Sequence, residues 1–206
     1  PFITGLKSNL NYNINMIIEH PIYNGDLIHS RFAYRFFNKE VSPYGNIVAF
    51  RAPMFVSDNL IDLEDSLTKD YIFSDDAVNF CWEIPNLCPI GAVAFQRLLN
   101  IANILSRIIQ KPIQMKGDDL MVHNTFIGSD KTERKVGKVS VSITYSKDNV
   151  AVGHTGINIK AGSKAPGFAY STNLNEDEVQ AFIEHVVNYF NTEIKDIQIA
   201  TTKVIV

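Results

Sequence analysis

The residues with the most chemical potential lie in one stretch of the chain. Lys138 heads the alternating run Lys138-Val-Ser140-Val-Ser142-Ile-Thr144-Tyr145. Its polar positions carry a lysine and three hydroxyls. After Asp148-Asn149 comes Val150-Ala-Val-Gly153-His154-Thr-Gly156-Ile-Asn158-Ile159. A lysine leading a row of small polar residues leaves room for a ligand. It can hold a carboxylate, phosphate or carbonyl oxygen, or act as a base once desolvated. His154, between two glycines, can orient a substrate or shuttle a proton, with Asn158 beside it. Against these stand plainer roles: a strand lysine in solvent and a hydrogen-bonded core histidine.

Two charge clusters bear on what ligand is allowed. Arg31, Arg35 and Arg51 form a candidate anion clamp, because guanidinium forks bind carboxylate or phosphate bidentately. Asp62, Glu64 and Asp65 follow, within an acidic run from Asp58 to Asp76 that holds one lysine. They would bind an amine, sugar hydroxyls or a magnesium ion, or pair with the arginines, or form a solvated acidic loop. The expectation is a mixed outcome: Arg35 braced to a carboxylate, and Arg31 or Arg51 reaching the cleft beside Lys138. Asp118, next to Asp119, faces the same cleft or forms a turn or bulge. No His/Cys cluster has zinc spacing, and no metal site is expected. No cofactor is identified.

The elements that position these residues follow from pattern. The run from Lys135 to Tyr145 has the period-2 alternation of a strand with one buried face, and Asp148-Asn149 supplies turn chemistry, so the stretch is a hairpin. Pairing Tyr145 with Val150 would put Lys138 and His154 on opposite faces; a one-residue register change or a bulge would bring them together. Upstream, residues 1–15 are polar and patternless and read as a non-native or loosely ordered arm, with Met16 as the natural start and a first strand at Met16–Glu19. A short helix is expected over His29–Phe37, and strands over Asn46–Val56 and Ala77–Ile84. The longest helix is expected over Ala92–Gln110, an interrupted strand over Ile113–Val122, and a loop over Asn124–Glu133. A second helix is capped by Asn175 with Glu176, Asp177 and Glu178 in its first turn, and carries the stripe Val179, Phe182, Ile183, Val186, Val187, Phe190. Ile197–Val206 is expected to be a closing strand. The fold class is α+β: a mixed, largely antiparallel sheet with two main helices, in one domain over 16–206.

Composition bounds the function. With 46% hydrophobic and 20% charged residues, the chain is of globular type. A net charge of −3 argues against a general nucleic-acid or membrane-surface binder. No apolar run approaches ~18 residues, so no membrane-spanning helix is expected. Cys81 and Cys88 read as free thiols of a cytoplasmic protein. A homodimer is compatible with the sequence.

Several motifs together carry a resemblance. Asn79-Phe80, the long helix, Gly117-Asp118-Asp119-Leu120, Lys138-Val-Ser-Val and His154-Thr-Gly-Ile-Asn158-Ile159 resemble the order of elements in biotin and lipoate protein ligases, a class II synthetase-like fold, and in lipoyl/octanoyl transferases. The chain more closely resembles a family of small archaeal and bacterial proteins catalogued as domain of unknown function 366. It shares with that family Ala33-Tyr-Arg35, Ile61-Asp-Leu-Glu-Asp65, Lys138-Val-Ser-Val-Ser-Ile and Thr201-Thr-Lys-Val204, over residues 16–206. The resemblance implies a small anionic or acyl-bearing ligand in a cleft centred on Lys138, and transferase-like handling of it. Two departures are visible. Glu64–Asp70 carries no glycine where ligases approach phosphate with backbone amides, and Lys164-Ala-Pro-Gly167 carries no cysteine where octanoyl transferases have their nucleophile. Whether the chain is an enzyme is therefore left open; the alternative is a non-catalytic binding or assembly protein that keeps the scaffold.

Overall fold

An apolar run with no alternation, Ile47-Val-Ala-Phe50, marks a strand covered on both faces. The computed structural model, which describes residues 22–29, 31–32, 35, 42–58, 63–68, 71–98 and 102–203, bears this out. Strands β1 (Asn46–Val56), β2 (Ile72–Pro85), β6 (Ser140–Lys147) and β7 (Val150–Lys160) form an antiparallel sheet in the order β1-β2-β7-β6. A second, three-stranded antiparallel sheet joins β3 (Ile113–Lys116), β4 (Asp119–Ile127) and β5 (Glu133–Lys138). The described helices are α1 (Leu63–Thr68), α2 (Pro89–Leu98), α3 (Ala102–Ile109) and α4 (Glu176–Thr201). This is the expected α+β class. None of these helices is long and apolar enough to cross a membrane.

The two faces of the larger sheet bury different sets of residues. Ile47, Ala49, Val78, Phe80, Trp82, Ile157 and Ile159 meet α4, whose buried stripe runs from Val179 through Phe182, Ile183, Val186, Val187 and Phe190 to Ile194. Phe80 and Phe182 lie edge-on at 5.4 Å. Leu120, Val122 and Val139 bring the smaller sheet onto the same core. The other face buries Val48, Phe50, Ala52, Met54 and Cys81 beneath Tyr23, Leu27, Ile28 and Phe32. Tyr23 bridges Met54 in parallel along the outer edge of β1, and the Tyr145 hydroxyl donates to the Ile28 carbonyl. The sheet is therefore a middle layer.

Local signals set the ends of several elements. Asn175 caps α4, accepting from the Glu178 backbone at 3.0 Å while the Glu178 carboxylate accepts from the Asn175 backbone at 2.9 Å. Asp148 (φ 53°) and Asn149 (φ 63°) both take the left-handed conformation that a two-residue hairpin turn demands, so β6 and β7 pair from Lys147–Val150 onward. Tyr145 thus faces Val152, and because the ladder breaks at Val139 the hairpin register alone does not set the side that Lys138 takes.

Other expectations need correction. Residues 197–203 are not a closing strand: α4 continues to Thr201, with turns at Thr202 and Lys203, and 204–206 lie outside the described residues. Ile197, Ile199 and Thr201 have only a weak preference for strand, and a helix that buries seven side chains extends through them. The longest helix is α4, at 26 residues, rather than one near 92–110, where α2 starts at Pro89 and residues 99–101 lie outside the description. Gly117-Asp118 is the turn of a hairpin and not an interruption of one strand. The expected loop at 124–133 is strand at both ends, because β4 runs to Ile127 and β5 starts at Glu133. The expected strand at Met16–Glu19 lies outside the described residues, as do most of 29–37, where Phe32 and Arg35 are helical.

Replacing Phe182 by alanine leaves a cavity in the core between sheet and helix, and unfolding by denaturant should show a loss of about 3–5 kcal/mol. Ile199→Ala, at an exposed position on the same helix, should change stability by less than about 0.5 kcal/mol. Equal effects would overturn this assignment of the helix face.

Candidate functional site

Lys138 and Ser140 do not share a strand face. Between them Val139 leaves both ladders. It is fully buried, its N–H donates to Leu120 O at 2.9 Å, and its carbonyl accepts from Asn158 N at 3.0 Å. Lys138 closes β5 in the smaller sheet, and Ser140 opens β6 in the larger one. The expected row of one lysine and three hydroxyls is therefore split. Ser140 is buried and its Oγ accepts from the Leu120 N–H at 2.8 Å.

Neighbouring residues fix the direction of Lys138. A Cβ on Gly137 would meet the Phe126 ring at 2.7 Å and Tyr170 Cβ at 2.8 Å, so that face of β5 abuts the core under α4. Strand alternation then turns Lys138 to the other side. Its Nζ meets Asp119 Oδ1 at 2.7 Å, with about a third of the lysine side chain and a quarter of the aspartate exposed. Asp119 begins β4, immediately after the turn that contains Asp118. An ammonium has three donors, so one ion pair leaves capacity for a ligand oxygen. The peptide of Lys138 is also fixed, with N–H donating to Phe168 O and carbonyl accepting from Tyr170 N, both at 2.8 Å.

Asn158 lies across from the Val139 peptide. It faces away from Ile157 and Ile159, which belong to the core under α4, so it shares a side of the molecule with Lys138. It is 3% exposed, and its Oδ1 has no hydrogen-bond partner among the described residues. A buried acceptor left unsatisfied costs about 1–3 kcal/mol, which makes it an unusual feature.

His154 occupies the same face of β7 in a different environment. It is 1% exposed, and its ring stacks on Tyr23 with centroids 3.8 Å apart and planes within 10°. Its Nε2 lies 2.9 Å from Asn79 Oδ1. The Asn79 amide nitrogen donates to the Ala52 and Ala77 carbonyls, so Oδ1 is the acceptor and Nε2 carries the proton. Burial pulls the pKa of His154 down to about 3, which keeps it neutral. Gly156 is required beside it, since a Cβ there would strike the Met54 sulfur. Nearby, the buried Glu83 carboxylate accepts from Arg31 N at 2.6 Å and Asn46 Nδ2 at 3.3 Å; burial raises its pKa, opposed by these donors. This face therefore anchors the segment that covers it, and His154 is enclosed in that anchor.

The arginines separate. Arg51 makes a two-pronged contact with Asp76, at 2.8 and 2.6 Å, and a third bond to Glu176 at 2.5 Å in the first turn of α4. Arg51, one of the two arginines expected as alternatives at the cleft, is instead a brace, and its partners are Asp76 and Glu176. Arg31 (φ 63°) contributes its backbone to Glu83, and the Arg31 and Arg35 residues are exposed. Asp62 lies outside the described residues. Glu64 and Asp65 fall in α1, a helix where an acidic loop was an alternative, and their side chains are outside the description. Among the described residues, no group of three or more His, Cys, Asp or Glu is placed to hold a metal ion.

Sequence reasoning placed Asp118 in the site, while the ion pair belongs to Asp119. It gave no role to Tyr23 or Glu83. A lone glutamate in Phe80-Cys-Trp-Glu83-Ile was an available signal, because an apolar strand tolerates a carboxylate only with donors supplied.

Comparisons with known proteins agree with this fold. The family described as a domain of unknown function, DUF366, matches residues 13–205. No curated protein matches the chain. Among solved structures, a protein of unknown function from Pyrococcus horikoshi superposes with a TM-score of 0.73 at 24% identity, covering 93% of this chain and 96% of that one. LipL1 of P. falciparum, solved with lipoate, gives 0.52 at 12%, covering 79% and 53%. A biotin protein ligase from Aquifex aeolicus, solved with biotin, gives 0.47 at 13%, covering 87% and 71%. The fold is biotin/lipoate protein ligase-like.

Two measurements follow from the electrostatics. Arg51→Ala should lower stability by about 1–2 kcal/mol, less than a fully buried pair would cost because both partners are partly exposed; an unchanged unfolding curve would remove the brace. His154 has its pKa depressed in the folded state, so the unfolded chain takes the proton first. Stability conferred by the neutral ring is present above the unfolded value of about 6.5 and is lost as pH falls toward 3, at up to about 1.4 kcal/mol per pH unit. Glu83, with a raised pKa, works in the opposite sense: its contribution is present at low pH and lost as pH rises. The check is therefore the difference between wild type and His154→Gln, which should shrink as pH drops from 7 to 4. A constant difference would mean that His154 is not held neutral.

Proposed function

The chain belongs to the DUF366 family, and from that premise we propose that it binds a small molecule carrying an anionic or acyl oxygen, with Lys138 as the central contact and Asn158 beside it. The observation that carries this reading is the unsatisfied Asn158 Oδ1, buried one peptide away from Lys138. A ligand that presents a carboxylate or carbonyl to Lys138 and an N–H or O–H to Asn158 would satisfy both. Asp119 holds the ammonium in place for that contact. Solved structures of similar fold that hold lipoate or biotin support this class of ligand. The unbridged thiols of Cys81 and Cys88 support a cytoplasmic setting.

A second reading is a binding protein without catalysis. What favours it is the burial of His154 under Tyr23, which removes the one histidine proposed for proton transfer from any contact with substrate. In that reading Lys138 and Asn158 hold a ligand and no bond is made or broken.

Thermal shift over biotin, lipoate and octanoate tests the site. Occupancy at 100 times the dissociation constant should add about 2.7 kcal/mol of stability. Lys138→Met, which removes a charge-assisted hydrogen bond of about 1.5–3 kcal/mol, should weaken binding about 10- to 100-fold. Failure of every acid to stabilise the protein, or equal binding by Lys138→Met, would sink the proposal. An ATP–pyrophosphate exchange assay with the same acids separates the two readings: exchange requires an adenylating enzyme, whereas binding with no exchange leaves the non-catalytic protein.

A further inference from the structure

A depression of about 440 Å³ opens on the side of β5 away from Lys138. That is within the range of about 300–1,000 Å³ usual for small-molecule sites. Asn124 and Phe126 of β4 form one wall. Ser163 of the loop after β7, then Tyr170, Ser171 and Asn173 ahead of α4, form the other. No residue that lines it carries a formal charge.

The polar groups here retain hydrogen-bonding capacity in both directions. Asn124 Nδ2 donates to the Tyr170 hydroxyl at 3.0 Å, which leaves the Asn124 carbonyl to accept and the Tyr170 hydroxyl to donate. Ser171 Oγ accepts from Ala161 N at 3.0 Å, and its proton remains to be given. Phe126 and Tyr170 meet edge-on at 5.2 Å and give the wall an apolar, aromatic portion. The walls are also preorganised. Ser129 Oγ donates to Ala165 O at 2.6 Å, Gly128 N to Thr132 O at 2.9 Å, and the segment at Tyr170 is bonded to the peptide of Lys138.

From this geometry we infer that the depression is a second binding site, for a neutral polyhydroxyl compound such as a free monosaccharide or cyclic polyol. Each hydroxyl of such a ligand donates and accepts, as do the carboxamides and hydroxyls that line the wall. Its C–H face suits the aromatic portion. The charges nearby, Asp75 behind Gly162 and the Asp130–Arg134 pair behind Gly128, belong to the walls, so carboxamides and hydroxyls are what the lining itself presents to a ligand. The site is independent of the proposed acid-binding site, because it lies on the opposite face of β5.

The test is a backbone-amide NMR titration of the full chain with D-glucose, D-ribose and myo-inositol, each to about 100 mM, reaching the weakest affinities of interest. A neutral probe should shift the amides of Gly128, Ser171 and Asn173. Ser163→Phe, at an exposed loop position, fills the mouth without touching the core and should abolish the shifts. Asn173→Asp keeps the left-handed backbone that Asn173 adopts (φ 55°), removes the amide donor, and should weaken binding at least about tenfold. Lys138→Met should leave these shifts as they are. The inference is overturned if no neutral probe perturbs the pocket amides, if Ser163→Phe binds like wild type, if Lys138→Met abolishes the response, or if glucose 6-phosphate binds as tightly as glucose.

Discussion

The single peptide that passes from one sheet to the other sets most of what surrounds it. Val139 is fully buried between β5 and β6, and both its backbone groups are committed, to Leu120 and to Asn158. A continuous strand through this point would place Lys138, Ser140 and Ser142 on one face. Breaking the ladder at one residue puts the lysine on the smaller sheet and the serines on the larger, and it lets the two sheets share a core under α4. The same peptide ties Asn158 to the residue next to Lys138. The lysine's partner is therefore an aspartate, not a row of hydroxyls.

The larger sheet gives its two faces different work. One face is largely apolar, with Thr155 buried opposite Phe80, and receives α4 through a stripe of seven buried side chains. The other mixes apolar residues with Asn79, Glu83 and His154, all buried. These polar groups connect to the covering segment: His154 through its stack on Tyr23, and Glu83 through the Arg31 backbone. Aliphatic contact alone would tolerate several registers of a short covering segment. Directional hydrogen bonds to Glu83, with Arg31 held at a positive φ, favour one. The cost is two ionisable groups without water, answered by keeping His154 neutral and giving Glu83 backbone and amide donors.

Much of this was legible in the sequence where local and global signals coincide. β1 ends where its apolar run ends, the β6–β7 hairpin turns at Asp148-Asn149, and α4 is announced by its cap and stripe. What was not legible depends on partners distant in sequence. The break at Val139 leaves no mark in an alternating run, because it depends on the distant Leu120 carbonyl and Asn158 N–H and on two packed sheets. Arg51 lies 25 residues from Asp76 and 125 from Glu176, so no spacing rule points to either. Ile197 and Ile199 favour strand by composition, yet α4, fixed by its buried stripe, extends through them to Thr201. His154 looked poised for chemistry between glycines. One of those glycines, Gly156, makes room for Met54, and the ring lies in a packed layer.

The polar residues on this side of the fold then divide by whether the protein satisfies them. Asn79 spends both ends of its amide, Ser140 meets the Leu120 N–H, His154 meets Asn79, and Glu83 takes at least two donors. Burial alone therefore does not mark a functional group here, since each of these is buried and accounted for by structure. Asn158 is as buried as they are, and its carbonyl oxygen has nothing. An unmet acceptor costs about 1–3 kcal/mol in a domain whose total stability is about 5–15 kcal/mol. Asn79, Glu83 and His154 on the same face all have partners, so Asn158 stands apart from its neighbours, and a leucine there would carry no such cost. Asn158 lies one peptide from the Lys138 ammonium, and that coincidence is what the proposed ligand site rests on.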